Sequence, residues 1–391
     1  MKKKLLPALI VTGLIILVVI IMGITALINK YTPTKKTEDL KEYFNISSDD
    51  EAALIVDNEL SDYKAKIIDK KIYVDYKFVH DSLNSRFYWD ANENVLLYTT
   101  ASDIISAAAD SNSYSVTKQT NDFGYPIVKA TSDSALIALD YVKQYSNITF
   151  KSYDDPARIV ITSKWDEIDS ATVSKSTQVR VKGGIKSPIL KEVKKDDKIT
   201  ILDSGDKWDK VATEDGVIGY IKRKALSESK KTKLTNPDYE EETFTHIKKD
   251  KDICLAWNQV TSQSANSKVP QVISSTKGIN VMSPTWFYLN DNNGNLADIA
   301  SKDYVSYCHS QGIEVWGLFS NFENTDVDAA YVLTHTSTRT TLINQIMSAA
   351  FNYELDGVNI DFENITEAAY GDSYDYGASW RILRPSSLTD Q

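Results

Sequence analysis

The sequence predicts a multidomain chain: one membrane-spanning helix, an α+β region, a small all-β barrel and an α/β region. Three observations predict this order. Residues 5–28 are apolar and free of charge, residues 171–227 hold short strands between turn residues, and strand-like runs alternate with helical ones from residue 253 onwards. With 391 residues, 42% of them hydrophobic, the chain is long enough for roughly two to four domains with sizeable cores.

The amino terminus has the pattern of a signal anchor. Residues 5–28 hold 24 positions without a charge, which is enough to span a hydrocarbon layer of about 30 Å. A cleaved signal peptide has a shorter apolar run, of about 7–15 residues, and a small-residue cleavage site. Lysines at positions 2–4 place the amino terminus in the cytoplasm by the positive-inside rule. We therefore expect a transmembrane helix at 1–30, a stalk at 31–44 and the remainder outside the cell membrane.

Charge, cysteine and histidine usage exclude several classes of function. The net charge is −10, without a basic patch interleaved with aromatic residues, so nucleic acid is not an expected partner. Cys254 and Cys308 are too few for a disulfide scaffold, and we expect two buried free thiols rather than a bridge. The four histidines are scattered singly and show no metal-ligand spacing, so we predict no metal and no cofactor.

Residues 45–165 show an α+β pattern with an internal repeat. A helical run and a hairpin within residues 71–98 recur in weaker form about 63 residues later, at 136–162. Such duplication predicts paired units that share a core. The string at 71–98 resembles the copper amine oxidase N-terminal-like domain of bacterial surface proteins. That resemblance implies a spacer or wall-contact module and, because no ligand set is present, it does not imply copper.

Residues 171–227 predict the small all-β barrel. Short strands recur at intervals of about 10–20 residues, and turns rich in Gly, Asp and Ser separate them. Trp208 and the run at 216–221 resemble the bacterial SH3 domain of cell-wall enzymes. For Trp208 and Tyr220 we favour packing in the barrel core over contact with a ligand. A mobile, charged linker is expected at 228–252.

The α/β region, expected at 253–391, contains four strand-like runs. Helical runs at 301–311 and 338–352 separate the later ones, and the apolar positions of the second helix recur at helical spacing. Strands that alternate with helices predict a parallel sheet with right-handed crossovers.

The last of these strands carries the most informative residues of the chain. Residues 356–363 read Asp-Gly-Val-Asn-Ile-Asp-Phe-Glu. Because side chains alternate along a strand, Asn359, Asp361 and Glu363 share a polar face. Glu363 lies at the carboxyl end of the strand, where parallel α/β folds place their chemistry. A strand end can carry solvated acids by chance, but the regular apolar interleaving favours a site.

The octapeptide resembles the Asp-x-x-Asp-x-Asp-x-Glu signature of glycoside hydrolase family 18, with Asn359 in place of one Asp. This resemblance covers about residues 237–365 and implies a (β/α)₈ barrel. It also implies that Glu363 protonates the departing oxygen and that Asp361 orients the N-acetyl group of the substrate, whose carbonyl oxygen is the nucleophile. The implied substrates are β-linked N-acetylglucosamine polymers, with peptidoglycan favoured over chitin. Asn359 cannot ionise, and we expect it to shift the pH profile without abolishing the chemistry.

Residues near the other strand ends give weaker signals. Trp257 and Trp286 lie near predicted strand ends. Each of them could stack on a sugar ring or pack within the barrel, and neither alternative is favoured. Asp356, at the start of the strand, is expected to cap or pack structurally.

The length of the α/β region conflicts with a complete barrel. A (β/α)₈ barrel needs about 250 residues and eight strands, whereas residues 253–391 supply four predicted strands. We therefore expect an incomplete, truncated half-barrel with little turnover. Two functions stay open: a membrane-anchored glycosidase of cell-wall glycan that works by substrate-assisted retaining hydrolysis, or a catalytically inert wall-binding scaffold.

Overall fold

The structure of the protein is a computed structural model that describes residues 2–244 and 248–365. His246 and residues 366–391, the last part of the region expected at 253–391, lie outside the described residues. In chain order the α-helices are α1 (Lys2–Tyr31), α2 (Leu40–Tyr43), α3 (Tyr76–Phe78), α4 (Leu139–Tyr145), α5 (Val269–Ser274), α6 (Lys302–Ser310), α7 (Ala329–Thr334) and α8 (Thr336–Tyr353).

The strands account for most of the remaining regular structure. In chain order they are β1 (Glu51–Val56), β2 (Glu59–Ile68), β3 (Lys71–Asp75), β4 (Phe87–Asp90), β5 (Val95–Thr99), β6 (Ile104–Ala108), β7 (Ser113–Val116), β8 (Gln119–Asp122), β9 (Val128–Ala130), β10 (Ala135–Ala138), β11 (Thr149–Tyr153), β12 (Arg158–Thr162), β13 (Glu167–Thr172), β14 (Thr177–Arg180), β15 (Ile189–Val193), β16 (Lys198–Asp203), β17 (Trp208–Thr213), β18 (Ile218–Lys222), β19 (Lys230–Lys233), β20 (Leu255–Asn258), β21 (Val281–Leu289), β22 (Leu296–Asp298), β23 (Glu314–Ser320) and β24 (Gly357–Asp361).

Helix α1 is apolar on all sides. Its segment Ile10–Tyr31 is long and apolar enough to cross a membrane, and none of it is buried. A helix that is hydrophobic all round needs an apolar environment such as a core or a bilayer. A signal sequence near an amino terminus passes the same test of length and composition.

The chain divides into two compact units, and each unit is built from two segments of the sequence. The first unit comprises Met1–Tyr73 and Lys143–Tyr239, and the second comprises Val74–Val142 and Glu240–Gln391. The domain boundaries expected from the sequence stay a prediction.

The first unit places two groups of strands around one core. β1 pairs in parallel with β12 and antiparallel with β2, which continues to β3, while β11 pairs antiparallel with β12. The other group is a sheet of order β15-β14-β18-β17-β16-β13-β19, in which neighbouring strands are antiparallel. Phe44 and Ile55 share one buried cluster with Val211 and Ile221, so the burial of apolar surface joins the two groups.

A buried ion pair also joins β12 to the turn between β17 and β18. Arg158 Nη2 and Lys191 Nζ each lie 2.5 Å from Asp215 Oδ2, and the Thr213 hydroxyl donates to Asp215 Oδ1 over 2.6 Å. Burial raises the pKa of the Asp215 carboxyl, but the hydrogen bonds from Lys191 and Thr213 and the two positive charges outweigh it. The net pKa lies below the ordinary Asp value.

Strand β19 lies in the segment that the sequence predicted as a mobile linker. It pairs antiparallel with β13, with Lys230 opposite Ser170 and Lys233 opposite Glu167. All four of its side chains are exposed, so it has no apolar alternation that a sequence pattern could reveal. Backbone pairing at the sheet edge, rather than burial, forms this strand.

The second unit contains a five-stranded antiparallel sheet of order β4-β5-β6-β7-β8. The expected hairpin is present as β4 and β5, whereas the polar strands β7 and β8 were not expected. Asp90 and Glu93, in the β4–β5 turn, accept hydrogen bonds from the backbone N–H groups of Thr336 and Ser337 over 2.7 and 2.9 Å. These carboxylates therefore cap the amino terminus of α8 and stabilise its unpaired N–H groups.

The α/β region of the second unit has the parallel sheet that the alternation of strands and helices predicted. Its strand order is β20-β21-β23-β24, every neighbouring pair is parallel, and β22 pairs antiparallel with β21. Trp286 and Phe319 from the strands share one buried cluster with Leu342 and Ile346 from α8. Helix packing on one face of the sheet therefore provides the core.

Both cysteines are free thiols in different environments. Cys308 is buried on α6, as expected, and burial raises its pKa to about 12. Cys254 is exposed, so the expectation that it is buried is wrong. It precedes β20, which lies at an edge of the parallel sheet that the described residues form, so one flank there has no neighbouring strand among them.

Candidate active site

Strand β24 occupies an edge of the described parallel sheet, next to β23. The pairing register places Leu318 opposite Asn359 and Ser320 opposite Asp361. Gly357 allows the two strands to approach, because an added Cβ there would lie 2.8 Å from the indole ring of Trp316. The glycine at position 357 therefore lets the start of β24, the strand that carries the candidate site, pack closely against β23.

The apolar side chains of this strand face the core only in part. Val358 and Phe362 pack against the buried cluster beneath α8, as the alternation predicted. Ile360 lies between them in the sequence and is 38% exposed. The alternation therefore orients the strand correctly, although the centre of its apolar face is incompletely covered.

Asn359 is half-buried and its side chain is held by a neighbouring strand. Its Nδ2 donates to the hydroxyl of Ser283 over 3.1 Å, and Ser283 is fully buried on β21. An amide can donate this hydrogen bond, whereas an ionised carboxylate cannot. Asn359 is uncharged, and its side chain also ties the polar face of β24 to β21 through this hydrogen bond.

Asp361 is half-buried beside a second polar cluster. Its ladder partner Ser320 is fully buried, and the Ser320 hydroxyl donates to Glu323 Oε2 over 2.6 Å. Ser320 is therefore next to two acidic residues. Asp361 is its partner in the strand ladder, and Glu323 accepts its hydrogen bond. This cluster lies at the carboxyl ends of β23 and β24, the edge expected to hold the chemistry.

Glu363 is exposed, and its backbone is fixed by Asn321. The Glu363 N–H donates to Asn321 Oδ1 over 2.7 Å, and Asn321 Nδ2 donates to the Glu363 carbonyl over 2.8 Å. The side-chain amide therefore reproduces a pair of ladder hydrogen bonds just beyond the end of β24. It holds the backbone from which the Glu363 carboxyl projects.

The two tryptophans lie in opposite environments. Trp257 is 70% exposed on β20, and its predicted contact with sugar stays a prediction. Trp286 is fully buried, and its Nε1 donates to Asn266 Oδ1 over 2.8 Å. The ring also lies edge-on to Tyr304, so no sugar face can stack on it. Of the two alternatives that the sequence left open for Trp286, the structure therefore has packing.

Asp356 has the structural position that the sequence predicted. Its Oδ2 accepts a hydrogen bond from the Val315 N–H over 2.8 Å and lies 2.8 Å from His309 Nε2. These contacts tie the start of β24 to β23 and α6. They are at the opposite end of the strand from Glu363, so Asp356 belongs to the scaffold of the sheet.

Sequence reasoning did not identify Asn321, Ser283 or Glu323. Asn321 and Glu323 follow β23 directly, so the rule that chemistry gathers at the carboxyl ends of parallel strands could have found them. Ser283 gave no such signal, because it lies within β21. Across residues 2–244 and 248–365, no group of three His, Cys, Asp or Glu side chains is close enough to hold a metal ion.

Comparisons with known proteins give a partial likeness to glycan-cleaving enzymes. No family model and no curated protein matches the chain. A chitinase candidate from Desulfitobacterium hafniense is similar in its C-terminal domain, with 24% identity, a TM-score of 0.25 and coverage of 29% of this chain and 34% of that chain.

Spore cortex-lytic enzymes give a similar result. SleL of Bacillus megaterium shares 18% identity at a TM-score of 0.28, over 33% of this chain and 31% of that chain. SleL of Bacillus cereus shares 16% identity at a TM-score of 0.29, over 34% of this chain and 31% of that chain. The chain thus spans about a third of the length of these solved structures.

Proposed function

We propose that this protein is a chitinase-like glycoside hydrolase that acts on β-linked N-acetylglucosamine glycans, and on peptidoglycan before chitin. The observation that carries the proposal is the polar face of β24. Asn359 and Asp361 lie along it towards the carboxyl edge of a parallel sheet, and Glu363 follows two residues beyond the end of the strand. This spacing and this edge match the family 18 signature to which the octapeptide is similar.

The proposed reaction is a substrate-assisted retaining hydrolysis. Glu363 donates a proton to the departing glycosidic oxygen as the N-acetyl carbonyl oxygen of the substrate bonds to the anomeric carbon. Water then opens this cyclic intermediate, and the Glu363 carboxylate takes up a proton from the water. Asp361 orients and stabilises the acetamido group as positive charge develops on it. The hydrogen bond from Asn359 to Ser283 keeps the base of the polar face fixed. Trp257 offers an exposed ring for stacking on a sugar.

The remainder of the chain supports a function at the cell surface. We propose that α1 is a single-pass anchor of the cell membrane, with the carboxyl-terminal regions outside. Residues 45–165 would form the copper amine oxidase N-terminal-like domain and residues 171–227 the SH3-like domain, both as wall-contact modules. They would keep residues 253–391, the proposed catalytic region, close to the glycan.

The test is digestion of purified peptidoglycan and of N-acetylglucosamine oligomers by the full chain, with products detected by mass spectrometry after long incubation. We expect new reducing ends with retained configuration from the unmodified chain and none from Glu363→Gln. Gln keeps the shape of the side chain but has no acidic proton, and loss of general acid catalysis costs about 10²–10⁴-fold in rate. Equal product from the two proteins would contradict the role of Glu363.

The exposure of Glu363 favours a second candidate, a glycan-binding protein without catalysis. General acids of glycosidases act in desolvated surroundings, and the Glu363 side chain is exposed. Sedimentation of the chain with insoluble peptidoglycan separates the two functions. Binding without any product supports the second candidate, product that depends on Glu363 supports the first, and the absence of both contradicts each of them.

A further inference from the structure

The segment that follows α1 is fixed to the hairpin formed by β14 and β15. The Thr34 N–H donates to the Ile185 carbonyl, the Ile189 N–H donates to the Lys36 carbonyl, and the Glu38 N–H donates to the Ile189 carbonyl, each over 2.8 Å. Thr37 and Ile189 form a parallel bridge. The segment that the sequence predicted as a stalk is therefore held along the hairpin loop and the start of β15, with one isolated β-bridge between them.

Two cationic side chains of the hairpin strengthen this attachment. Arg180 is buried, and its guanidinium donates to the carbonyls of Ser187 over 2.7 Å and Thr34 over 3.3 Å. Lys186 donates to the carbonyl of Thr32 over 2.8 Å and to that of Asn29, in the last turn of α1. A cation at this end of a helix is stabilised by the helix dipole. The hairpin loop, residues 181–188, therefore lies against the carboxyl end of α1.

The composition of this region suits a membrane surface. Residues 1–37 contain no acidic residue, and the lysines at 30, 35 and 36 flank the helix end. In the loop, the Lys182 and Lys186 side chains are exposed. A Cβ added at Gly183 would lie 3.1 Å from Trp208 Cβ, so the tryptophan packs directly on the loop. Tryptophan is enriched where membranes meet water, and lysines beside a membrane segment are attracted to anionic lipid surfaces.

We propose that the β14–β15 hairpin is a membrane-surface contact whose lysines bind the phosphate groups of anionic phospholipids. The inference rests on the proposed membrane span of α1. The 22 residues of Ile10–Tyr31 extend about 33 Å at about 1.5 Å per residue, and the hydrocarbon layer is about 30 Å thick. Asn29 and Thr32 then lie at the level of the headgroups, and the contacts of Lys186 place the loop at that same level.

Electrostatics favours anionic over zwitterionic headgroups. Basic residues beside a membrane segment are attracted to anionic lipids, and the attraction fades within a Debye length. Glu38 is the nearest acid in sequence to the helix end, and Asp206 and Asp209 lie on either side of Trp208; Asp209 is buried and pairs with Arg223. These acids are outnumbered by the lysines of the helix end and of the loop.

The experiment reconstitutes the full chain in two kinds of lipid nanodisc, one of phosphatidylcholine alone and one containing about a third phosphatidylglycerol, and measures lysine acetylation rates by mass spectrometry. Lys182 is the reporter. Lys194 and Lys195 are matched controls, because both are exposed and follow β15 at the end of the hairpin remote from its loop. We expect acetylation of Lys182 to slow several-fold in the anionic discs, to recover in about 1 M salt, where the Debye length is about 3 Å, and not to change for the two controls.

Three outcomes decide the proposal. Slower acetylation of Lys182 in the anionic discs, with unchanged rates at Lys194 and Lys195, supports the hairpin contact. If Lys182 is acetylated at equal rates in both kinds of disc, and carbonate washing does not remove the chain from membranes, the hairpin contact is overturned. The membrane span of α1 then still stands. Extraction of the chain by carbonate overturns the span and the contact together.

Discussion

The side-chain amide of Asn321 forms two hydrogen bonds with the backbone of Glu363, one to its N–H and one to its carbonyl. The two residues are 42 positions apart and follow neighbouring parallel strands. Glu363 lies in the loop after β24, and these two hydrogen bonds hold its backbone in place. The direction of the Glu363 carboxyl is therefore set in part by Asn321.

We predict that Asn321→Ala releases the backbone of Glu363. Hydrogen exchange at the Glu363 amide should accelerate at least tenfold, because the substitution removes the acceptor of its hydrogen bond. If the proposed reaction holds, kcat should fall while KM changes little, since the acid itself remains. Asn324→Ala, in the same loop, is the matched control and should leave the Glu363 amide unchanged. An unchanged exchange rate of the Glu363 amide in Asn321→Ala would show that the hydrogen bonds from Asn321 do not hold this backbone.

The carboxylate of Glu93 should stabilise the start of α8. It accepts hydrogen bonds from the Ser337 N–H and hydroxyl over 2.9 and 2.5 Å, and loss of such a cap costs about 0.5–2 kcal/mol. We expect Glu93→Ala to lower the free energy of unfolding of the second unit by about 1 kcal/mol in urea titrations. Faster hydrogen exchange should be confined to the first turn of α8 and the β4–β5 turn.

The control for this experiment is Asp133→Ala, which removes an exposed acid of the same unit. It should leave both the stability and the exchange at α8 unchanged. Equal effects of Glu93→Ala and Asp133→Ala would indicate a general response to lost negative charge, and the capping explanation would then fail.

The ion pair around Asp215 predicts a dependence of stability on pH. The pKa of Asp215 is lower in the folded protein than in the unfolded chain, where an Asp has a pKa of about 3.9. Its stabilising contribution is therefore complete above that value and is lost as pH falls through the lower folded pKa. Melting temperatures of the first unit should decline steeply below about pH 4.

Asp215→Asn should remove this contribution at every pH. Arg158 would then lose its charged partner while buried, which costs on the order of 3 kcal/mol at neutral pH. The variant should melt earlier at pH 7 and show a flatter decline between about pH 5 and 3. A variant whose melting curve parallels that of the unmodified chain across this range would disprove the role of Asp215.

The two cysteines should differ in reactivity by orders of magnitude. Cys308 is buried, its pKa is raised to about 12, and thiols react as thiolates. Only Cys254 should react with a disulfide reagent in the native protein, and Cys254→Ser should abolish that fast phase. Cys308 should react only after denaturation. Two fast thiols in the native chain would show that α6 does not protect Cys308.

The order of local elements was readable from the sequence because local patterns generate it. The apolar run of α1, the apolar period of α8 and the alternation in β24 each depend on neighbours a few positions away. The parallel sheet followed from the alternation of strands with helices. Strands β7, β8 and β19 contain no fully buried side chain, and the sequence did not predict them because they bury little apolar surface and therefore lack the periodic signal.

What the sequence determined about the candidate site was its three alternate polar positions, Asn359, Asp361 and Glu363, and the edge of the sheet towards which they lead. Only the tertiary structure decided which side chains support them, namely Ser283 on β21 and Asn321 after β23. It also decided that Trp286 belongs to the core, whereas Trp257 is exposed to solvent. The physical reason is that burial and side-chain hydrogen bonds join residues tens of positions apart, and no local period records such partners.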